Sequence, residues 1–156
     1  MIKKFELDLS SKITVFGIEL FRVKALISFG NVKEGELGGY IAKEGNLSHS
    51  GNAWVSGDAR VYGDAEVSGD AEVYGNARVS GDAEVSKLND HIVFKNSWSS
   101  GRYFTYTRSN QKWRVGCFYG TSEELIKKAY QDSEDSGRHY EAYVNFVKTL
   151  EALDDK

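Results

Sequence analysis

From Gly51 to Ser86 the chain repeats a six-residue phrase six times without a break: GNAWVS, GDARVY, GDAEVS, GDAEVY, GNARVS, GDAEVS. The first, third and fifth positions are always Gly, Ala and Val. Self-similarity at a fixed short period is the signature of a solenoid, in which each unit stacks on its neighbours. Ala and Val alternate with polar residues, so both point to one side of an extended segment. Val suits a pleated, half-buried surface, and Ala suits a crowded interior corner. Asn or Asp always follows the Gly. That pair signals a turn, because Gly takes positive φ freely and Asx residues tolerate the left-handed region. Each hexad therefore predicts a short strand plus a corner. A helix is excluded, since Gly at every sixth residue would cost roughly 1 kcal/mol each.

Two imperfect hexads precede the regular ones, at 39–44 and 45–50. Ile41 and Leu47 hold the Ala column there, while Lys43 and His49 hold the Val column. The register is expected to shift where the repeats begin. Upstream, Phe5, Leu7 and Leu9 alternate, followed by Ile13 and Val15. After Gly17 the alternation resumes through Phe21, Val23 and Ala25. This predicts a small antiparallel piece that plugs the first coil. The Gly38-Gly39 step predicts a tight entry corner. It is not a phosphate-binding loop, because the Lys-Ser/Thr pair is missing and strands follow.

Downstream, residues 92–95, 102–108 and 112–119 read as strands, with turns at Ser100-Gly101 and Ser109-Asn110. Thr121 then caps a helix, and Glu124 completes a capping box. Leu125, Ile126, Ala129 and Tyr130 give that helix its apolar stripe. A polar loop at 131–137 is expected before a second helix, which carries Tyr140, Tyr143, Val144, Val147 and Leu150 at helical spacing. The expected organisation is an N-terminal β cap over 1–38, the repeats over 39–86 and a C-terminal α+β cap over 87–156.

Charge is unevenly spread. Residues 51–86 hold seven acidic and two basic side chains, residues 87–120 one acidic and six basic, and residues 121–156 nine acidic and five basic. No apolar run is long enough to span a membrane, and the start, MIKKFELDL, lacks the apolar stretch of a signal peptide. The lone cysteine, Cys117, rules out an internal disulfide and fits a reducing compartment, so a cytoplasmic location is expected. Cys117 itself is expected to be buried rather than reactive.

Read as Val-x-Gly-Asx-Ala-x, the repeat resembles the hexapeptide-repeat family. Val61 is followed four residues later by Ala65, Val67 by Ala71, Val73 by Ala77 and Val79 by Ala83. The resemblance implies a left-handed parallel β-helix with three hexads per coil. At the variable positions of this chain, offsets of 12 and 18 residues match equally well. The expected fold is thus mainly β: a short left-handed parallel β-helix of about two to three coils. Its caps would be the N-terminal β segment and a C-terminal hairpin sheet with two helices. The run FGNVKEGELGGYIAKEGNLSHSGNAWVSGDARVYG, at 29–63, and GCFYGTSEEL, at 116–125, resemble hexapeptide-repeat proteins of phages and prophages. That resemblance implies a phage-type protein in the host cytoplasm and carries no catalytic residue with it.

The family also contains acyltransferases that use a histidine between the subunits of a trimer, and His49 is the one candidate within the repeats. The zinc-binding branch needs three histidines, and His49, His91 and His139 lack the spacing of ligands on adjacent coils. No metal and no cofactor are expected. The outward columns are more informative. With three hexads per coil, Arg60 lies under Arg78 and Glu66 under Glu84, about 4.8 Å apart. Stacked like charges seek opposite partners, a neighbouring subunit or a ligand. Trp54, Tyr62 and Tyr74 could anchor an interface between subunits. Alternatively, Arg60 and Arg78 with Tyr62 could hold an anion such as a nucleotide. A third surface is the basic, aromatic hairpin of Lys95, Trp98, Arg102, Tyr103, Arg108, Lys112, Trp113 and Arg114. It could bind single-stranded nucleic acid, or dock on the acidic repeats, which is the favoured reading.

The function expected is a non-catalytic phage-type binding protein, assembled as a homo-oligomer, with a trimer favoured. It would bind a host protein or a small nucleotide-like anion, with counter-defence as the role the resemblance suggests. The alternatives are a small acyltransferase using His49 and a single-strand binder using the hairpin at 95–114.

Overall fold

In the computed structural model, residues 2–86 and 90–154 are described. Strands β1 (Phe5–Val15) and β2 (Ile18–Ala25) form a long antiparallel hairpin. Strand β3 (Leu37–Ile41) pairs with β2, also antiparallel. The six hexads then contribute six two-residue strands: β4 (Trp54–Val55), β5 (Arg60–Val61), β6 (Glu66–Val67), β7 (Glu72–Val73), β8 (Arg78–Val79) and β9 (Glu84–Val85). Their pairing is parallel at a separation of eighteen residues, Val55 with Val73, Val61 with Val79 and Val67 with Val85. Eighteen, not twelve, is therefore the offset of the outward columns.

These strands do not make the continuous left-handed β-helix with separate caps that the repeat predicts. They fall into three sheets: β4 with β7, β6 with β9, and a five-stranded mixed sheet in the order β1-β2-β3-β5-β8. The predicted N-terminal plug is the antiparallel half of that last sheet. The hexad pattern specifies a strand and a corner, but it carries no information about which outside segment joins each open edge. Here β3 joins one and draws the long hairpin with it. The class is several small sheets, one of them mixed, with two helices, and not a solenoid.

The register shift is visible where β3 meets the repeats. Ile41 pairs with Val61 and Leu47 bridges to Val67, an offset of twenty residues. Ile41 and Leu47 thus occupy the Val column, not the Ala column. Gly38 and Gly39 lie within β3 rather than at a corner. A Cβ on Gly39 would stand 2.7 Å from Val55 Cγ1 and 2.8 Å from Ala59 O, so β3 reaches the hexads only because both positions lack side chains.

Inside, every repeat Ala and Val is buried. Phe5, Val23, Ile41, Leu47 and Trp54 complete this first core. Burying each Val side chain contributes roughly 1.5–3 kcal/mol. At each corner the hexad Gly is left-handed, with φ from +61° to +67°. The β1–β2 turn is different: both of its central residues, Phe16 (φ +50°) and Gly17 (φ +79°), are left-handed. A two-residue hairpin of that kind prefers Asn-Gly or Asp-Gly. Holding a residue with a Cβ there costs roughly 1–2 kcal/mol.

The C-terminal part is a meander of four antiparallel strands, β10 (His91–Lys95), β11 (Tyr103–Thr107), β12 (Lys112–Val115) and β13 (Phe118–Thr121). The long predicted strand 112–119 is broken by a turn at Gly116-Cys117 into β12 and β13. Cys117 lies on that turn and is exposed, against expectation. Helix α1 (Ser122–Asp132) starts with the expected capping box: Thr121 Oγ1 accepts from Glu124 N–H, and Glu124 Oε1 accepts from Thr121 N–H at 2.9 Å. The predicted loop at 131–137 shrinks to a break at Ser133, because α2 (Glu134–Asp154) begins one residue later. Gly137, buried in α2, leaves no room for a Cβ against the Tyr130 ring. The helices pack on the meander through Phe104, Trp113, Leu125, Tyr140, Val144 and Val147. Among the described residues, no helix is long and apolar enough to cross a membrane.

Candidate anion-binding cavity

One row of paired residues crosses the five-stranded sheet: Asp8, Arg22, Tyr40, Arg60 and Arg78, each opposite the next. Neighbouring positions of that row share a face, and the next residues along, Ile41, Val61 and Val79, turn into the core. The row is internally satisfied at its N-terminal side. Arg22 lies over the Tyr40 ring at 4.4 Å, donates to Gly38 O and Gly57 O, and pairs with Asp58. Toward β8 the row becomes two adjacent arginines. Like charges at strand spacing repel by roughly 3 kcal/mol at an effective dielectric of about 20.

Arg78 is fixed in place. Its Nη1 donates to Asp58 O, Asn76 O and Ala77 O. Burial, and next the positive charge of Arg60, hold its pKa below the usual arginine value. Arg60 is less well served: its Nε is buried and, among the described residues, has no hydrogen-bond partner. Beside both opens a cavity of about 270 Å³. A third arginine, Arg102, enters it from the start of β11, and among the described residues no carboxylate lines it. Phe16, at the β1–β2 turn, and Tyr103, on β11, also border it. Four elements remote in sequence thus bring three cations and exposed rings to one concavity.

Tyr62 borders the cavity too, but not as the sequence suggests. It is only 5 % exposed, and Arg114 lies 5.5 Å from its ring centre. Trp54, expected as an interface anchor, is 2 % exposed and packs edge-on against Phe29 at 5.3 Å. Neither ring can reach a neighbouring subunit, because the segment before the repeats covers Trp54 and the meander covers Tyr62. Tyr74 alone of the three stays open, at 58 % exposure.

The basic hairpin is largely consumed within the chain. Trp113 is fully buried against Phe94, Phe104 and Tyr106. Trp98 stacks on His139 at 4.4 Å. Arg108 pairs with Glu151 and Asp154 on α2. Arg114 donates to Ser80 Oγ and lies over Tyr119, and Lys112 lies 5.3 Å from the same ring. Of these contacts only that of Arg114 with Ser80 reaches the repeats; the others hold the hairpin to the meander and α2. Lys95, Arg102 and Tyr103 remain exposed.

His49 stacks on Phe5 at 4.2 Å, and its Nδ1 accepts from Lys4 N–H at 3.1 Å. The proton therefore resides on Nε2, which is buried and 3.9 Å from Glu44. With Nδ1 occupied and Nε2 protonated and enclosed, neither ring nitrogen is presented to a substrate as a base. His91 lies in β10 near Tyr74, and burial lowers its pKa. The three histidines sit in three separate settings. Among the described residues, no three His, Cys, Asp or Glu side chains are grouped to hold a metal.

Compared with known protein families and with curated proteins, the chain matches none.

Arg60, Arg78, Arg102 and Tyr103 were all candidates on sequence, but on two different surfaces. The structure unites them. Phe16 was missed, although Phe-Gly at a two-residue turn, where Asn-Gly is favoured, is a signal that could have found it.

Proposed function

We propose that this protein is a non-catalytic binding protein whose cavity between Arg60, Arg78 and Arg102 takes a small anion with phosphate-like oxygens. The observation that carries this reading is that Arg60, Arg78 and Arg102 line one concavity, with no carboxylate among its described lining residues. Guanidinium forks match phosphate oxygens in geometry and charge. A bound anion would relieve the repulsion between Arg60 and Arg78. The two arginines that face each other are held on a β-sheet, so the site needs little reorganisation to bind. The resemblance of 29–63 and 116–125 to phage and prophage proteins gives such binding a use, the withdrawal of a small host anion.

Isothermal titration with inorganic pyrophosphate tests the reading. The expected result is one site per chain, weakened by added salt. Arg102→Ala, at an exposed position, should lower the affinity by roughly tenfold to a hundredfold without changing the melting temperature. Absence of binding to the wild-type protein at low salt would overturn the proposal.

A further inference from the structure

We infer that the ligand of this cavity is a nucleotide and that Phe16 stacks on its base, an inference that rests on the anion reading above. Phe16 occupies a left-handed position that favours Asn, Asp or Gly, and its conformation is strained for a bulky residue such as Phe. The chain gains nothing in return through packing. Phe16 is 62 % exposed and belongs to neither core cluster. A bulky apolar ring at the worst position of a tight turn, and left in water, is costly on both counts. Strain of this kind gathers where a site needs one side chain in one place.

That place is the edge of the arginine cavity. The β1–β2 turn carries Phe16 to it, and the start of β11 carries Tyr103, itself 43 % exposed. Tyr103 also borders a second cavity of about 420 Å³ beside Tyr74 and His91. The binding surface therefore continues past the arginines along exposed rings. Inorganic phosphate would use the guanidinium groups and leave those rings idle. A nucleotide uses both, its phosphates on Arg60, Arg78 and Arg102 and its base against Phe16. Every base has a π-face, so the stacking contact selects nucleotides as a class before it selects among bases.

The experiment compares ADP and UDP with inorganic pyrophosphate, by isothermal titration on the full chain. Wild type, Phe16→Asn and Phe16→Trp are each titrated, and each is melted. Wild type should bind at least one of the nucleotides roughly five- to 150-fold more tightly than pyrophosphate. Phe16→Asn should lose that advantage, keep its pyrophosphate affinity and melt no lower than wild type, because Asn relieves the turn. Phe16→Trp should keep the advantage. If wild type binds pyrophosphate as tightly as both nucleotides, the anion site stands and the nucleotide inference fails. If Phe16→Asn keeps the nucleotide advantage, or loses pyrophosphate equally, stacking by Phe16 is refuted. If wild type binds none of the three, the anion reading itself fails and this inference goes with it.

Discussion

The two open edges of the hexad ladders are finished with opposite chemistry. In each parallel ladder the N–H groups of one hexad donate to carbonyls of the hexad eighteen residues later, as Arg60 N–H does to Ala77 O and Tyr62 N–H to Val79 O. A parallel strand presents both N–H and C=O groups at each edge; the segments docked here meet carbonyls at the early edge and N–H groups at the late one. At the early edge the chain supplies donors. Tyr40 N–H donates to Ala59 O, Ser48 N–H to Val67 O, Asn46 Nδ2 to Gly63 O and Ala65 O, and Lys4 Nζ to Ala53 O. At the late edge it supplies acceptors: Thr105 Oγ1 for Arg78 N–H, Ser109 Oγ for Glu84 N–H and Asp90 Oδ2 for Ser86 N–H. An unpaired strand edge invites association with another chain. Here each docked side chain matches the backbone group it meets, and a side chain of the wrong polarity at that contact would leave both partners unsatisfied.

The largest expected effect comes from reversing that polarity. Asn46 is fully buried, with Oδ1 accepting from Ala42 and Lys43 N–H while Nδ2 donates to two carbonyls. Asn46→Asp sets a carboxylate oxygen against those carbonyls and should destabilise by about 3–5 kcal/mol in urea unfolding at pH 7. The loss should shrink as the pH falls and the acid becomes a donor. A loss unchanged at low pH would show that the polarity argument is wrong at this edge. Asn46→Ala, which removes the bonds without adding a charge, should cost less, about 2–3 kcal/mol.

At the other edge, Thr105→Val keeps shape and removes the acceptor of Arg78 N–H. The expected loss is about 1–2 kcal/mol. The amide of Arg78 should also lose protection in hydrogen exchange, while those of Val61 and Arg60 do not. Unchanged protection at Arg78 would mean that Thr105 does not close the late edge.

The last effect is electrostatic and appears only at high pH. Burial pushes the Lys4 ammonium down to about 8, from an ordinary 10.5. Between those values the unfolded chain binds the proton more tightly than the folded one, so the Lys4 contribution becomes more favourable as pH rises. The stability of wild type relative to Lys4→Met should be flat below about pH 8 and should rise from there toward pH 10. The comparison with the variant removes the tyrosines, whose raised values act in the opposite direction at high pH. A difference that does not vary with pH would mean that the ammonium of Lys4 is not buried against Ala53.

Much of the local structure was legible because it is local. Alternation gave β1 and β2, the Ala and Val columns gave the interior of the repeats, and Thr121 with Glu124 gave the start of α1. What failed depended on contacts between distant segments. Trp54 and Tyr62 sit at outward positions equivalent to those of exposed residues, so the phrase itself holds nothing that buries them. Trp54 is covered by Phe29 and β3, and Tyr62 by Arg114. The division of the hexads among three sheets has the same origin, since it depends on where β3 docks. The cavity was half legible. The Arg60–Arg78 pair follows from an eighteen-residue register, whereas Arg102 and Phe16 arrive from a turn and a hairpin whose placement no periodicity encodes.

The most direct test of the central claim is a crystal structure of the protein grown with saturating pyrophosphate. The account predicts phosphate oxygens within hydrogen-bond distance of the guanidinium groups of Arg60 and Arg102. A cavity holding only water, or pyrophosphate bound elsewhere on the molecule, would contradict it.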